Sequence, residues 1–119
     1  MWLLTKHGAY SIVKKDENQF HVRARVRRDL ENLVERVPLP GAAIHFSRAN
    51  DYPFRLIVGG DDVLKIMQFL GETVTYSNFK NTVNNTPDQR DKHSVYGQIW
   101  HLLLEKFGGY GKNVSEPPE

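Results

Sequence analysis

Three observations in the sequence predict an α+β fold built on an antiparallel sheet. A strict two-residue alternation runs through residues 20–26, two apolar helical stripes each follow a strand-like segment, and turn residues separate these segments. The alternation puts Phe20, Val22, Ala24 and Val26 on one face, and His21, Arg23, Arg25 and Arg27 on the other.

The elements follow in order. Residues 2–15 are rich in β-branched and aromatic types and read as a strand, with Gly8 at a bulge or tight turn. The polar stretch 16–19 turns the chain into the strand over 20–26. Leu30, Leu33, Val34 and Val37 then recur at helical spacing, and Pro38-Leu-Pro-Gly41 stops that helix. Residues 42–47 and 54–58 read as two more strands around a turn that contains Pro53. Asp61 is positioned to cap a second helix with the stripe Val63, Ile66, Met67 and Leu70, and Gly71 to end it. Ser77 is a candidate cap for a short helix holding Phe79 and Val83. Thr86, Pro87 and Gln89 have the spacing of a capping box, predicting a last helix of about 20 residues with the stripe Tyr96, Ile99, Trp100, Leu103 and Phe107.

Strand, strand, helix, strand, strand, helix is the order of a ferredoxin-like sandwich whose last strand has moved to the front. The expectation is a circularly permuted, four-stranded sheet with two helices on one face and a C-terminal helical extension. Residues 1–109 are expected to form a single α+β domain, and residues 110–119 a mobile tail.

Composition narrows the function. The chain has 119 residues, 39% hydrophobic and 25% charged, with thirteen aromatics, enough to fill one core. It has no cysteine, which excludes disulfide scaffolds, thiolate metal sites and cysteine nucleophiles. No apolar run approaches the roughly 18 residues of a membrane span. Lys6, His7 and Gly8 break the opening apolar stretch, so no signal peptide is read and a cytoplasmic location is expected. The net charge of +2 is uneven: residues 1–40 carry +3, residues 41–80 balance, and residues 81–119 carry −1. Four arginines fall within residues 23–28.

Four blocks resemble a family of small uncharacterised bacterial and phage proteins: Trp2-Leu-Leu-Thr-Lys-His-Gly-Ala-Tyr-Ser-Ile-Val13, Val22-Arg-Ala-Arg25, Asp51-Tyr-Pro-Phe-Arg-Leu56 and Tyr76-Ser-Asn-Phe-Lys80. They occur in the same order over the chain to about residue 107. The resemblance implies a compact intracellular domain and carries no activity or catalytic residue with it.

Arg23, Arg25 and Arg27 would stand about 6.5 to 7 Å apart on one strand face, and guanidinium forks match phosphate oxygens two at a time. The competing reading pairs these arginines with carboxylates such as Asp29 or Asp51. Tyr52 and Arg55, with Tyr76 and Lys80, interleave rings and cations as single-stranded nucleic-acid sites do, although Phe54 and Phe79 read as core. Gly59-Gly60-Asp61 outlines a phosphate cradle, but two carboxylates, Asp61 and Asp62, would oppose the phosphate, so it reads as turn and cap. His7, His21, His45, His93 and His101 lack metal-ligand spacing and read as structural. Asp88 and Asp91 complement a helix N-terminus. No nucleophile elbow, phosphate loop or dinucleotide fingerprint is present, so neither catalysis nor a cofactor is expected.

The sequence thus favours a non-catalytic binding module for nucleic acid or another phosphate-bearing ligand, using Arg23, Arg25, Arg27, Arg55, Lys80, Tyr52 and Tyr76. The alternative is a protein-interaction module, such as a phage-type modulator of a host enzyme, anchored by Tyr96, Trp100 and Phe107.

Overall fold

The computed structural model describes residues 1–108; Gly109 and the expected mobile tail lie outside the described residues. Two compact units are present, the first spanning Met1–Ser77 and the second starting at Asn78.

The first unit is α+β, and its five-stranded antiparallel sheet has the order β1-β2-β3-β5-β4. The strands are β1 (Trp2–Thr5), β2 (Gly8–Asp16), β3 (Gln19–Ala24), β4 (His45–Phe46) and β5 (Phe54–Val58). Helix α1 (Arg27–Arg36) follows β3, and α2 (Gly60–Glu72) follows β5. This arrangement is compatible with an α+β ferredoxin-like class, with one strand more than the four expected.

The extra strand comes from a turn at Lys6-His7 that divides the single strand read over residues 2–15. Its cause is Thr5, whose hydroxyl accepts the amides of His7 and Gly8, both at 3.1 Å, and donates to the Gly8 carbonyl at 2.9 Å. Gly8 also lets β2 pass close to α1. A β-carbon there would lie 2.6 Å from Asp29 Cβ and 2.7 Å from the Tyr10 hydroxyl.

Both helices share one face of the sheet. Tyr10, Ile12, Val22, Ala24, Leu56 and Val58 meet Leu30, Leu33, Val37, Ile66 and Leu70 in a single core, with Phe20 and Phe54 packed at its margin. Val26 and Val34 were expected in this core and are exposed instead. Strand β3 stops at Ala24, and Val26 becomes the extended N-cap of α1. Helix rotation then turns Leu30, Leu33 and Val37 inward and Val34 outward.

Arg27 and Arg28 occupy the first turn of α1, an unfavourable place for cations. Glu31 lies 3.9 Å from Arg27, and Glu35 binds Arg28 through two contacts of 2.9 and 3.2 Å, offsetting that charge. The α2 cap also departs from expectation. Gly59 is the N-cap in place of Asp61, and the exposed Gly60 amide donates to Asn18 Oδ1 at 2.9 Å, from the β2–β3 turn. Asn18 holds a left-handed conformation, φ 47°, which asparagine tolerates better than most residues. Gly71 does not end α2, which runs on to Glu72. The strand expected over 42–47 shrinks to two residues.

The second unit contains α3 (Phe79–Asn84), one 3₁₀ turn (Arg90–Lys92) and α4 (His93–Phe107). Asn78, one residue after the expected Ser77, caps α3 by accepting the Asn81 amide. Thr86 caps nothing. Its hydroxyl donates back to the Thr82 carbonyl at 2.8 Å, so the last α-helix begins at His93 and has 15 residues. Tyr96 is buried and stacks on Phe79, with ring centroids 5.5 Å apart, whereas Trp100, Leu103 and Phe107 are exposed. The apolar stripe of α4 is therefore covered only in its first half. Among the described residues no helix is long and apolar enough to cross a membrane.

Candidate anion-binding site

The sheet face opposite α1 and α2 is set by register. Trp2 pairs with Ser11, Ser11 with Arg23, Arg23 with Arg55 and Arg55 with His45, so these five residues form one row across all five strands. Directly paired residues share a face. At about 4.8 Å per strand the row spans roughly 19 Å. Beside it run Val13, His21 and Ile57, also in register.

Two arginines thus stand directly opposite each other at the centre of the sheet. Arg23 is half-buried and donates from Nη2 to the Ser11 hydroxyl at 2.7 Å, and Ser11 itself is buried. Arg55 lies 2.9 Å through Nη1 from His21 Nδ1, with Nη2 3.4 Å from the Tyr52 carbonyl. A guanidinium can only donate, so Nδ1 of His21 accepts and the ring proton sits on Nε2. Burial holds the His21 pKa below its ordinary 6.5, and the positive charges of Arg55, Lys15, Arg23 and His45 push it the same way. Neutral histidine is the form this arrangement requires.

Tyr52 gathers the cations. The Arg23 guanidinium lies 4.5 Å and that of Arg25 4.2 Å from its ring centroid. Asp51, which could have neutralised them, instead accepts the Tyr52 amide at 3.0 Å. Asp29 is buried on the helix side, where its carboxylate accepts the Ala9 amide and its carbonyl the Tyr10 hydroxyl. Among the described residues, no carboxylate lies within ion-pair distance of Arg23, Arg25 or Arg55.

No family model, curated protein or solved structure matches this chain. The geometry stands by itself.

Of the residues singled out in the sequence, Arg23, Arg25, Arg55 and Tyr52 come together. The uninterrupted strand row Arg23, Arg25, Arg27 does not form. Arg25 lies beyond the end of β3 and reaches the site through Tyr52, while Arg27 belongs to α1 beside Glu31. Tyr76 is half-buried in the stretch between α2 and α3. Lys80 belongs to the second unit, its ammonium 4.4 Å from the centroid of the Trp100 ring. Sequence reasoning passed over Trp2 and Ser11 and left His21 as a structural histidine. The alternation in β3 does carry a signal for His21, which falls on the arginine side, but pairing Trp2 with that side needs the register of two hairpins. Among the described residues, no group of three or more His, Asp and Glu side chains is placed to hold a metal ion.

Proposed function

We propose that this chain is a non-catalytic cytoplasmic binding module whose sheet face opposite α1 and α2 takes nucleic acid or another phosphate-bearing ligand. One observation carries the reading: Arg23, Arg25 and Arg55 converge around Tyr52 with no carboxylate among the described residues to neutralise them. Like charges directly opposite on neighbouring strands are destabilising, and an anion bound across them removes that cost. Arginine suits the role because its fork meets two phosphate oxygens at once.

The test is binding of single- and double-stranded DNA and RNA, and of inorganic polyphosphate, across a salt series. For a nucleic acid, the logarithm of affinity should fall linearly with the logarithm of salt, by about one unit of slope per phosphate contact. Arg23→Ala/Arg25→Ala should flatten that slope by about two units and leave circular dichroism unchanged. Absence of binding to every polyanion at low salt would remove the reading.

A second reading belongs to the second unit. The exposed Trp100, Leu103 and Phe107 on α4 support a protein-interaction surface, since aromatic anchors dominate such interfaces.

A further inference from the structure

Resting on the anion-binding reading of the sheet face, we infer that its ligand is single-stranded nucleic acid crossing the strands, with Trp2 as the platform for an unpaired base. Trp2 is 81% exposed, more than any other large apolar residue described. It stands in the same cross-strand row as Arg23 and Arg55, two strand spacings, about 10 Å, from Arg23. Tyr52 is already occupied by two guanidiniums, whereas the Trp2 indole has no ring or cation contact among the described residues. Trp2 is therefore the free aromatic surface of the row.

Shape decides between single strand and duplex. Duplex bases are reached by a helix or a two-stranded ribbon that enters a major groove about 12 Å wide. A five-stranded face roughly 19 Å across is wider than that groove, so an undistorted B-form duplex would offer it backbone and leave Trp2 no base to meet. An unpaired strand offers both parts of the complement: phosphates for Arg23, Arg25 and Arg55, and a base whose flat face lies on the indole. Ser11, between Trp2 and Arg23, is buried beneath its neighbours and accepts a hydrogen bond from Arg23 Nη2 at 2.7 Å, which holds that guanidinium on the side of the row towards Trp2.

The experiment titrates a short single-stranded oligonucleotide, the matching duplex and inorganic polyphosphate against the unaltered chain, Trp2→Ala and Arg23→Ala/Arg25→Ala. Indole quenching is read in a Trp100→Phe background so that Trp2 is the sole tryptophan reporter. The single strand should bind more tightly than the duplex and quench Trp2. Trp2→Ala should weaken the single strand about five- to 150-fold and leave polyphosphate affinity unchanged. Equal affinity for single strand and duplex, or a Trp2→Ala variant that binds the oligonucleotide normally, overturns this inference, while arginine-dependent polyphosphate binding keeps the anion reading. Loss of binding to all three probes in the unaltered chain overturns both. Because Trp2 is so exposed, Trp2→Ala should fold normally, and circular dichroism with a melting curve confirms it.

Discussion

Replacing Gly8 by alanine should loosen the join between the first hairpin and α1, and the structure gives the size of the effect. The new β-carbon would lie 2.6 Å from Asp29 Cβ, 2.7 Å from its Cγ and 2.7 Å from the Tyr10 hydroxyl. None of these can yield cheaply. The Tyr10 hydroxyl donates to the Asp29 carbonyl at 2.8 Å, the Asp29 carboxylate accepts the Ala9 amide at 3.1 Å, and Asn32 ties the next turn of α1 to the His7 carbonyl at 2.7 Å. Overpacking a site of this kind costs about 1 to 3 kcal/mol. Separating the Ala9 amide from the carboxylate adds about 1.5 to 3 kcal/mol. The expected loss is thus about 2.5 to 6 kcal/mol, a large share of the roughly 5 to 15 kcal/mol that holds a domain folded. Urea denaturation followed by circular dichroism measures it, and the melting temperature should fall by at least about 10 °C. A loss below about 1 kcal/mol would show that α1 moves away from the hairpin freely and would refute the close-approach reasoning.

Three further outcomes follow from other contacts. Asn18→Ala should cost about 1 to 3 kcal/mol, because it removes the acceptor for the Gly60 amide and puts in the left-handed region a residue that tolerates it less well than asparagine, whereas Asn18→Gly should cost less in paired urea titrations. His21 has a folded pKa below its ordinary 6.5, so its contribution to stability is fully present above that value and is lost as pH falls through the lowered folded pKa. Denaturation midpoints from pH 8 to pH 5 should show that decline, and His21→Gln should flatten it. Trp100 is 49% exposed, with Lys80 over its ring, so Trp100→Ala should cost only about 1 kcal/mol in a thermal melt; a cost above about 3 kcal/mol would place the ring in a core.

Some of this molecule was legible before any coordinates. The alternation over residues 20–24 separates Val22 and Ala24 from His21 and Arg23 because one face of β3 packs under α1 and α2 in the core. Residues 54–58 were bounded correctly because Pro53 and Gly59 interrupt pairing on either side. What escaped was side-chain chemistry that redirects the backbone. Thr5 turns the chain with one hydroxyl inside a strand-like stretch, and Thr86, despite its capping-box spacing, bonds the Thr82 carbonyl instead. For the candidate site, spacing indicated Arg23 and Arg25, and local composition indicated Tyr52 and Arg55. Their meeting depends on β3 pairing with a strand some thirty residues later, which no local window contains. Trp2 is further removed still, reaching the row only through β2.

The Arg55–His21 contact has a consequence for how fold and ligand respond to acid. While His21 is neutral, its Nδ1 occupies one of the Arg55 N–H groups and its Nε2–H is a donor. A proton on Nδ1 ends that bond, frees the Arg55 donor and adds a third positive charge beside two guanidiniums. In the empty protein these charges repel, so acid weakens the fold. With an anion lying across the face, the same proton gains an acceptor, and by linkage the anion binds more tightly as pH falls. Stability and affinity therefore carry opposite pH slopes from one imidazole, and a saturating anion should shift the His21 titration upward.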